Sequence, residues 1–216
     1  MINFDYYISI DPSITSTAVS VMSADLSFIK SYFFTEKTKK FANFPYENFQ
    51  PFVCPNSWRK MGDDFYRNYL TNAIVQTIAE YADNFNCRIT LEGYSYSSNG
   101  LTFSIGEFVG LLKHKFSITR NWNYIEVPPA TVKKFILKGN ASKTDLMYTF
   151  LTKQIHQVRA TNPDWCKELQ RFIGDENMKF NLQKVDSPLS DILDSVYIGL
   201  WSIEEVKNAN NIQNRS

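Results

Sequence analysis

Cysteine and histidine are scarce in this chain, and their scarcity argues against several kinds of site. The three cysteines, Cys54, Cys87 and Cys166, are odd in number and far apart, which fits neither a disulfide framework nor a CxxC zinc knuckle. The two histidines, His114 and His156, give little support to a zinc site or a Ser-His-Asp triad. The phosphate-binding motifs GxxxxGKS/T and GxGxxG are also absent, so no nucleotide-binding loop is indicated.

An excess of charge of one sign and a long apolar run are lacking as well. The 23 Lys and Arg residues balance 22 Asp and Glu residues, which excludes a basic protein that coats nucleic acid but allows a local basic groove. No stretch approaches the roughly 18 consecutive apolar residues of a membrane span. The N-terminus lacks the basic and apolar regions of a signal peptide. We therefore expect a soluble, intracellular, cytoplasmic protein with no membrane partner.

The residues that are present suit a folded domain. The chain has 216 residues, of which 44% are hydrophobic and 15% aromatic, enough for one sizeable core. A charged fraction of 21% argues against disorder. We expect a single domain over 1–216, with an insertion or covering loop at about 35–62 and a polar, irregular segment at about 160–187.

The pattern of apolar residues predicts an α/β fold. Three β-branched and aromatic runs with short connections indicate an antiparallel meander, and later apolar runs alternate with helical spacing. The predicted strands are 6–11, 17–22, 28–34, 88–93 and 123–127, and the predicted helices are 63–84, 103–116, 129–137, 143–158 and 188–207. This order predicts a mixed five-stranded sheet, with three antiparallel strands followed by parallel strands, flanked by helices.

Four acids occupy positions that apolar residues dominate. Asp11 and Glu92 each end a run expected in the middle of the sheet, where an unpaired charge costs several kcal/mol. Asp191 and Asp194 lie three residues apart, so they share one face of a predicted helix. Taken singly, each acid could equally be a helix cap or an ion-pair partner. Taken together, four carboxylates are the oxygen ligands that Mg²⁺ or Mn²⁺ require, and two such ions can hydrolyse a phosphodiester.

Six ordered pieces of the sequence resemble one family, the RuvC-like Holliday junction resolvases of the ribonuclease H-like superfamily, including their phage and poxvirus branches. The pieces are ISIDPSITSTA (8–18), TLEGY (90–94), IGEFVG (105–110), VPPATVKKF (127–135), GNASKTD (139–145) and SDILDSV (190–196). The resemblance covers about 5–22 and 88–206. It departs from the family at Ser13, where glycine is usual, and residues 35–62 and 160–187 have no counterpart.

The resemblance implies a ribonuclease H-like nuclease that acts in DNA recombination and repair. Asp11, Glu92, Asp191 and Asp194 would be the catalytic residues and the ligands of two Mg²⁺ or Mn²⁺ ions in each active site. The implied activity is that of a crossover junction endodeoxyribonuclease, a homodimer that resolves four-way junctions and related branched DNA by paired nicks. A phage-encoded protein of this kind would act in the host cell cytoplasm.

Lysines and tyrosines are the candidates for DNA contact. Lys133, Lys134, Lys138 and Lys143 fall within eleven positions and could neutralise phosphates, although a solvated helix face is the plainer interpretation for any one of them. Tyr94 and Tyr96 follow Glu92 in a polar loop, where they could stack on exposed bases or simply belong to the core.

Other functions remain open on the sequence alone. A ribonuclease H-like nuclease could prefer flaps, RNA–DNA hybrids or general debranching, since one fold accommodates many substrates. A non-catalytic DNA-binding relative is a different class, which the intact acidic quartet argues against. A sugar-kinase or actin-like ATPase begins with a similar strand, but it needs two such domains and 216 residues are too few.

Overall fold

The computed structural model describes residues 2–35, 47–93, 102–173 and 189–214, and its strands form one mixed sheet in the order β4-β3-β2-β1-β5-β6. Strands β1 to β3 form an antiparallel meander, β5 and β6 run parallel to β1, and β4 runs parallel to β3. The strands are β1 (Tyr6–Asp11), β2 (Ser16–Met22), β3 (Ile29–Thr35), β4 (Phe49–Val53), β5 (Cys87–Glu92) and β6 (Tyr124–Val127). The predicted mixed sheet of antiparallel and then parallel strands is confirmed.

The sheet has six strands rather than the five predicted, and the extra strand is β4. It lies within residues 35–62, which the sequence suggested to be an insertion or covering loop. Its sequence FQPFV has proline at its centre, and a residue without an N–H argues against a strand in sequence-based reasoning. The strand is nevertheless formed at the edge of the sheet, where Pro51 pairs with Phe33 and the missing donor costs least.

Helices form in all five predicted segments, although the one predicted at 143–158 is divided into two. The helices are α1 (Asn56–Arg59), α2 (Asp63–Ala82), α3 (Thr102–His114), α4 (Pro129–Ile136), α5 (Lys143–Thr149), α6 (Ile155–Thr161), α7 (Pro163–Ile173) and α8 (Leu189–Gln213). Of these, α1 and α7 were not predicted. A π-helical turn at Lys115–Thr119 extends α3, and another at Phe150–Gln154 joins α5 to α6. Helix α7 lies in the stretch expected to be irregular, and it forms because Trp165, Cys166 and Leu169 are buried on one face.

Helices cover both faces of the sheet, and each face has its own hydrophobic core. Helices α2 and α3 pack on the face that carries Ile8 and Ile10 of β1. Helix α8, together with α5 to α7, packs on the face that carries Tyr7. Because side chains alternate along a strand, Asp11 projects toward the α8 face with Tyr7. Among the described residues, each helix is too short or too polar to cross a lipid bilayer.

Helix α8 lies unusually close to the sheet because small residues meet at the contact. The Ser195 hydroxyl lies 2.7 Å from that of Ser20 on β2. A Cβ atom added at Gly199 would lie 2.5 Å from Cε of Met22 and 3.0 Å from Oγ of Ser9, so a larger residue would displace its neighbours. This close packing fixes the distance between the first turns of α8 and the end of β1.

Candidate metal centre

Asp11 and Glu92 are brought together by the register of two parallel strands. Ile10 of β1 pairs with Leu91 of β5, so Asp11 and Glu92 are the next residues on neighbouring strands. The carboxyl groups of the two acids are close enough to affect each other's pKa. Asp11 is 9% exposed, which confirms that an acid is buried at the end of this apolar strand.

Helix α8 brings two further acids to the same place. Asp191 and Asp194 lie on its first two turns, and Asp191 is 7% exposed. Asp11, Asp191 and Asp194 can each offer one carboxylate oxygen such that all three oxygens lie within 4.8 Å of one another. Glu92 lines the same cavity but is not part of this set of three oxygens.

The acids line an open cavity of about 240 Å³, which we call the carboxylate cavity. Its walls combine the four carboxylates with two lysines and with apolar side chains of α4, α5 and α8. The other lining residues are Ser13, Pro129, Val132, Lys133, Ile136, Lys143, Leu146 and Tyr197. The acids are therefore accessible to a ligand from one side while the sheet and helices shield them from the other.

Lys143 lies among the acids rather than on a separate basic surface. Its Nζ atom lies 3.2 Å from Oγ of Ser190, 3.3 Å from Oδ1 of Asp191 and 3.7 Å from Oδ2 of Asp194. A capping box fixes its backbone, because Ser142 and Asp145 satisfy each other's N–H groups at the start of α5.

The other predicted DNA-binding residues lie in different surroundings. Lys133 lines the carboxylate cavity, whereas Lys134 and Lys138 are exposed and do not line it. Tyr94 and Tyr96 lie outside the described residues. DNA contact by any of these residues stays a prediction.

Burial and the charges of neighbouring acids raise the pKa values of Asp11, Glu92 and Asp194. Burial is the largest cause for Asp11, whose pKa lies well above its usual range, and the nearby charges of Glu92, Asp194 and Asp191 add to it. Burial and the charge of Asp194 raise the pKa of Glu92 to about 7. Burial raises the pKa of Asp194 to about 6, although Lys143 opposes the shift. Burial lowers the pKa of Lys143, but the acids around it outweigh burial, and the net shift is upward.

The donor set fits a hard divalent cation. Four carboxylates line the cavity against the ammonium groups of Lys133 and Lys143, which leaves two negative charges uncompensated when all are ionised. Oxygen ligands that converge on one point are what Mg²⁺ and Mn²⁺ require. Burial is the largest cause of the raised pKa values of Asp11, Glu92 and Asp194, and the charges of neighbouring acids add to it.

Sequence reasoning did not identify two hydrogen bonds at or near the acids. Ser190 donates a hydrogen bond of 3.1 Å to Oδ1 of Asp191. The Tyr66 hydroxyl donates one of 3.1 Å to the carbonyl of Ile14, in the turn that follows Asp11. The serine directly before Asp191 was a detectable signal, whereas the contact of Tyr66 depends on tertiary packing and has no signal in the sequence.

No family model and no curated protein matches the chain, but solved structures do. The Thermus thermophilus RuvC structure covers 89% of this chain and 92% of its own, with 13% identity and a TM-score of 0.48. T. thermophilus RuvC in complex with a Holliday junction substrate covers 89% and 90%, with 11% identity and a TM-score of 0.48. The yeast mitochondrial Holliday junction resolvase Ydc2 covers 97% of this chain and 83% of its own, with 12% identity and a TM-score of 0.52.

At such low identity, the likeness to the yeast structure concerns the fold. It extends over 97% of this chain. The chain therefore has the mixed α/β, ribonuclease H-like fold that its sequence predicts.

Proposed function

We propose that this chain is a metal-dependent nuclease that cuts branched DNA, with four-way junctions as its main substrate. The observation that carries the proposal is the convergence of Asp11, Asp191 and Asp194, whose oxygens can lie within 4.8 Å of one another in an open cavity. Glu92, which lines the same cavity, completes the proposed catalytic quartet. The yeast structure of similar fold is a Holliday junction resolvase by its title, which supports the choice of substrate.

The residues of the cavity have two proposed roles, which are binding cations and binding DNA. The four carboxylates would ligate Mg²⁺ or Mn²⁺, and the chemistry supplied by two bound ions is activation of a water and stabilisation of the leaving oxygen. Lys133 and Lys143 line the same cavity, where their ammonium groups would neutralise the phosphate that is cut. Ser190 orients Asp191 through its hydrogen bond, and the close packing of α8 holds both helical acids against Asp11. The expected products are 5′-phosphate and 3′-hydroxyl ends.

A homodimer would match the symmetry of the substrate. A four-way junction has two strands to cut about a two-fold axis, and a two-fold symmetric dimer presents one site to each. The apolar residues exposed on α2 and α3, such as Tyr69 at 43% and Phe103 at 89%, are the proposed interface. The sequence pieces point to the phage and poxvirus branch of the resolvases, and a phage-encoded enzyme would work in the host cell cytoplasm.

Cleavage of a mobile four-way junction beside a linear duplex of matched sequence tests the proposal. With Mg²⁺ or Mn²⁺, we expect symmetric nicks on the junction and an intact duplex, and no cleavage in EDTA. Flaps and RNA–DNA hybrids belong in the same assay. Faster cleavage of flaps or hybrids would favour a nuclease with another substrate preference. Binding of the junction without any cleavage would favour a non-catalytic DNA-binding protein.

A further inference from the structure

Helix α5, which carries Lys143, is joined to helix α8 by a buried hydrogen bond. The Tyr197 hydroxyl donates this bond to the main-chain carbonyl of Leu146, over a distance of 2.6 Å. Tyr197 is 1% exposed and Leu146 is 3% exposed, so water hardly competes for the bond. Both residues also line the carboxylate cavity, which places this link between the helices at the wall of the candidate site.

This hydrogen bond and the contacts of Lys143 lie one helical turn apart on both helices. Tyr197 follows Asp194 by three residues on α8, and Leu146 follows Lys143 by three residues on α5. Residues three apart are neighbours on the surface of a helix. The two helices are therefore linked at two successive levels, once by the lysine ammonium group and once by the tyrosine hydroxyl.

The two links differ in how firmly they can hold α5. The Lys143 side chain is 55% exposed, and its Nζ atom lies 3.7 Å from Oδ2 of Asp194. An ion pair as exposed as this contributes little to stability and does not order a long side chain well. A buried hydroxyl, in contrast, is costly to leave without a partner, and the partner of Tyr197 is the helix backbone itself. The position of α5 on α8 therefore depends more on Tyr197 than on the ion pair.

The hydrogen bond falls where α5 changes from α-helical to π-helical bonding. The carbonyl of Leu146 also accepts the N–H of Phe150, which is shared with the carbonyl of Met147. The π-helical turn Phe150–Gln154 begins at this point, and π-helical turns frequently mark functional sites. The rings of Tyr197 and Phe150 meet edge to face, with their centroids 5.7 Å apart. Tyr197 thus contacts this part of α5 through its ring as well as through its hydroxyl.

A residue that only fills the space between two helices would not need the hydroxyl. The contact with Phe150 is made by the ring alone, and phenylalanine would provide it equally well. Burying a tyrosine adds a polar group that must find a partner. Here the partner is the carbonyl one turn from Lys143, so the hydroxyl is placed where it can fix the helix that carries the lysine.

We propose that Tyr197 is a positioning residue that acts through Lys143. By fixing α5 on α8, its hydroxyl holds the lysine ammonium group beside the carboxylates, where the phosphate to be cut would lie. The effect on cleavage rests on the proposed function. The placement of Lys143 relative to Asp191 and Asp194 does not depend on that function, and it can be measured without DNA.

Tyr197→Phe tests the inference, because it keeps the ring and removes only the hydroxyl. Tyr32→Phe is the matched control, since Tyr32 is also buried and its hydroxyl lies 3.1 Å from that of Tyr81, in the core on the opposite face of the sheet. Each change is made in the wild type and in Lys143→Met. The measurements are the single-turnover rate on a four-way junction in Mg²⁺ and the Kd for that junction in EDTA.

We expect Tyr197→Phe to cut about three- to tenfold more slowly than the wild type, since a small misplacement of a group that acts on the substrate is enough to slow a reaction. Its Kd for the junction should stay within about twofold, because other contacts hold the DNA. In Lys143→Met, adding Tyr197→Phe should change the rate by less than about twofold, because the lysine that it positions is already gone. Tyr32→Phe should cut like its parent in both backgrounds.

The affinity for Mn²⁺ in the absence of DNA makes the test independent of cleavage. A less well placed ammonium group competes less for the carboxylate oxygens, so Tyr197→Phe should bind Mn²⁺ about two- to threefold more tightly in calorimetry. This difference should vanish in Lys143→Met, and Tyr32→Phe should show none. If the wild type cuts no junction but this dependence on Lys143 is present, the proposed nuclease function fails and the positioning role stands.

Two results would overturn the inference while leaving the nuclease intact. One is a cleavage rate and an Mn²⁺ affinity of Tyr197→Phe that both equal those of the wild type. The other is a loss of rate of the same size with and without Lys143, because independent effects multiply. That outcome would make Tyr197 a residue that supports the fold and does not act through the lysine.

Discussion

The Nζ atom of Lys143 lies 3.3 Å from Oδ1 of Asp191, within the group of acids proposed to hold metal ions. The same ammonium group is 3.2 Å from Oγ of Ser190 and 3.7 Å from Oδ2 of Asp194. A divalent cation that used these carboxylate oxygens would compete with the lysine for them. Lys143 therefore affects both proposed activities of the site, cation binding and phosphate binding, in opposite directions.

Lys143→Met separates these two effects. Without the competing ammonium group, Mn²⁺ should bind more tightly, by up to about fivefold, because a half-exposed ion pair contributes at most about 1 kcal/mol. Junction cleavage should become slower, because a positive charge beside the phosphate is lost. Isothermal titration calorimetry measures the first effect and a cleavage time course the second.

Lys138→Met is the control for this change, since Lys138 is exposed and does not line the carboxylate cavity. Its Mn²⁺ affinity should equal that of the wild type. Weaker Mn²⁺ binding by Lys143→Met would show that the lysine supports the metal site instead of competing with cations.

Gly199→Ala tests whether the close packing of α8 positions the acids. The added methyl group would lie 2.5 Å from Cε of Met22 and 3.0 Å from Oγ of Ser9, so the helix or its neighbours must shift. Overpacking of this kind destabilises a protein by about 1–3 kcal/mol. We expect a lower free energy of unfolding in urea and weaker Mn²⁺ binding, because Asp191 and Asp194 move with the helix.

Gly110→Ala is the matched control, as a Cβ at this helical position meets nothing within 4 Å. It should leave Mn²⁺ binding unchanged and stabilise the protein by up to about 1 kcal/mol. Normal Mn²⁺ affinity in a Gly199→Ala protein of reduced stability would contradict the positioning role of α8.

The metal-free protein should be more stable in mild acid than at alkaline pH. The pKa of Glu92 is raised to about 7 and that of Asp194 to about 6, above the values of about 4 for unfolded carboxyl groups. Between these values the folded chain binds more protons than the unfolded chain, so these groups lose their stabilising contribution as the pH rises. The melting temperature in EDTA should fall from about pH 5 to about pH 8.

Thermal melts followed by circular dichroism measure this dependence, and Mn²⁺ should restore most of the lost stability at the higher pH. Glu92→Gln is the control, because it removes one of the groups and should flatten the curve. A melting temperature in EDTA that rises with pH over the same range would contradict the account of the acids as an uncompensated cluster.

A dimer is expected in solution, and Phe103→Asp should weaken it. The Phe103 side chain is 89% exposed on α3, where a charge would oppose burial in an interface. Light scattering of the wild type at micromolar concentration should give about twice the chain mass of 25.1 kDa. Ile212→Asp is the control, since Ile212 is 70% exposed at the far end of α8. A strictly monomeric wild type that still nicks DNA would favour a flap or hybrid nuclease.

Much of the site could be predicted because it depends on local patterns. Asp11 and Glu92 stand directly after apolar strand residues, and the alternation of side chains along a strand then fixes the face to which each points. Asp191 and Asp194 share a helix face by their spacing alone. The convergence of the strand acids and the helix acids was harder to predict from local patterns, because it depends on the packing of Gly199 and Ser195 against the sheet.

The features that sequence reasoning missed depend on tertiary context. Strand β4 was not predicted, and it accommodates Pro51 because it lies at the edge of the sheet. Lys143 was expected to contact DNA, and nothing in its local sequence shows that its ammonium group would lie 3.3 Å from Asp191. Arg59 and the turn after Asp11 line a common cavity although they lie far apart in the chain, so no local pattern predicts this cavity.

The most direct test of the central claim is cleavage of a four-way junction by the wild type and by Asp11→Asn, each with Mn²⁺ or EDTA. Asn keeps the shape of Asp11 but removes its charge, so cation binding at the shared carboxylates should fail. We expect the wild type to nick the junction only with the metal, and the variant to lose several orders of magnitude in rate while still binding the junction. Cleavage by Asp11→Asn at a rate near that of the wild type would contradict the account, and the four acids would then be ordinary structural groups.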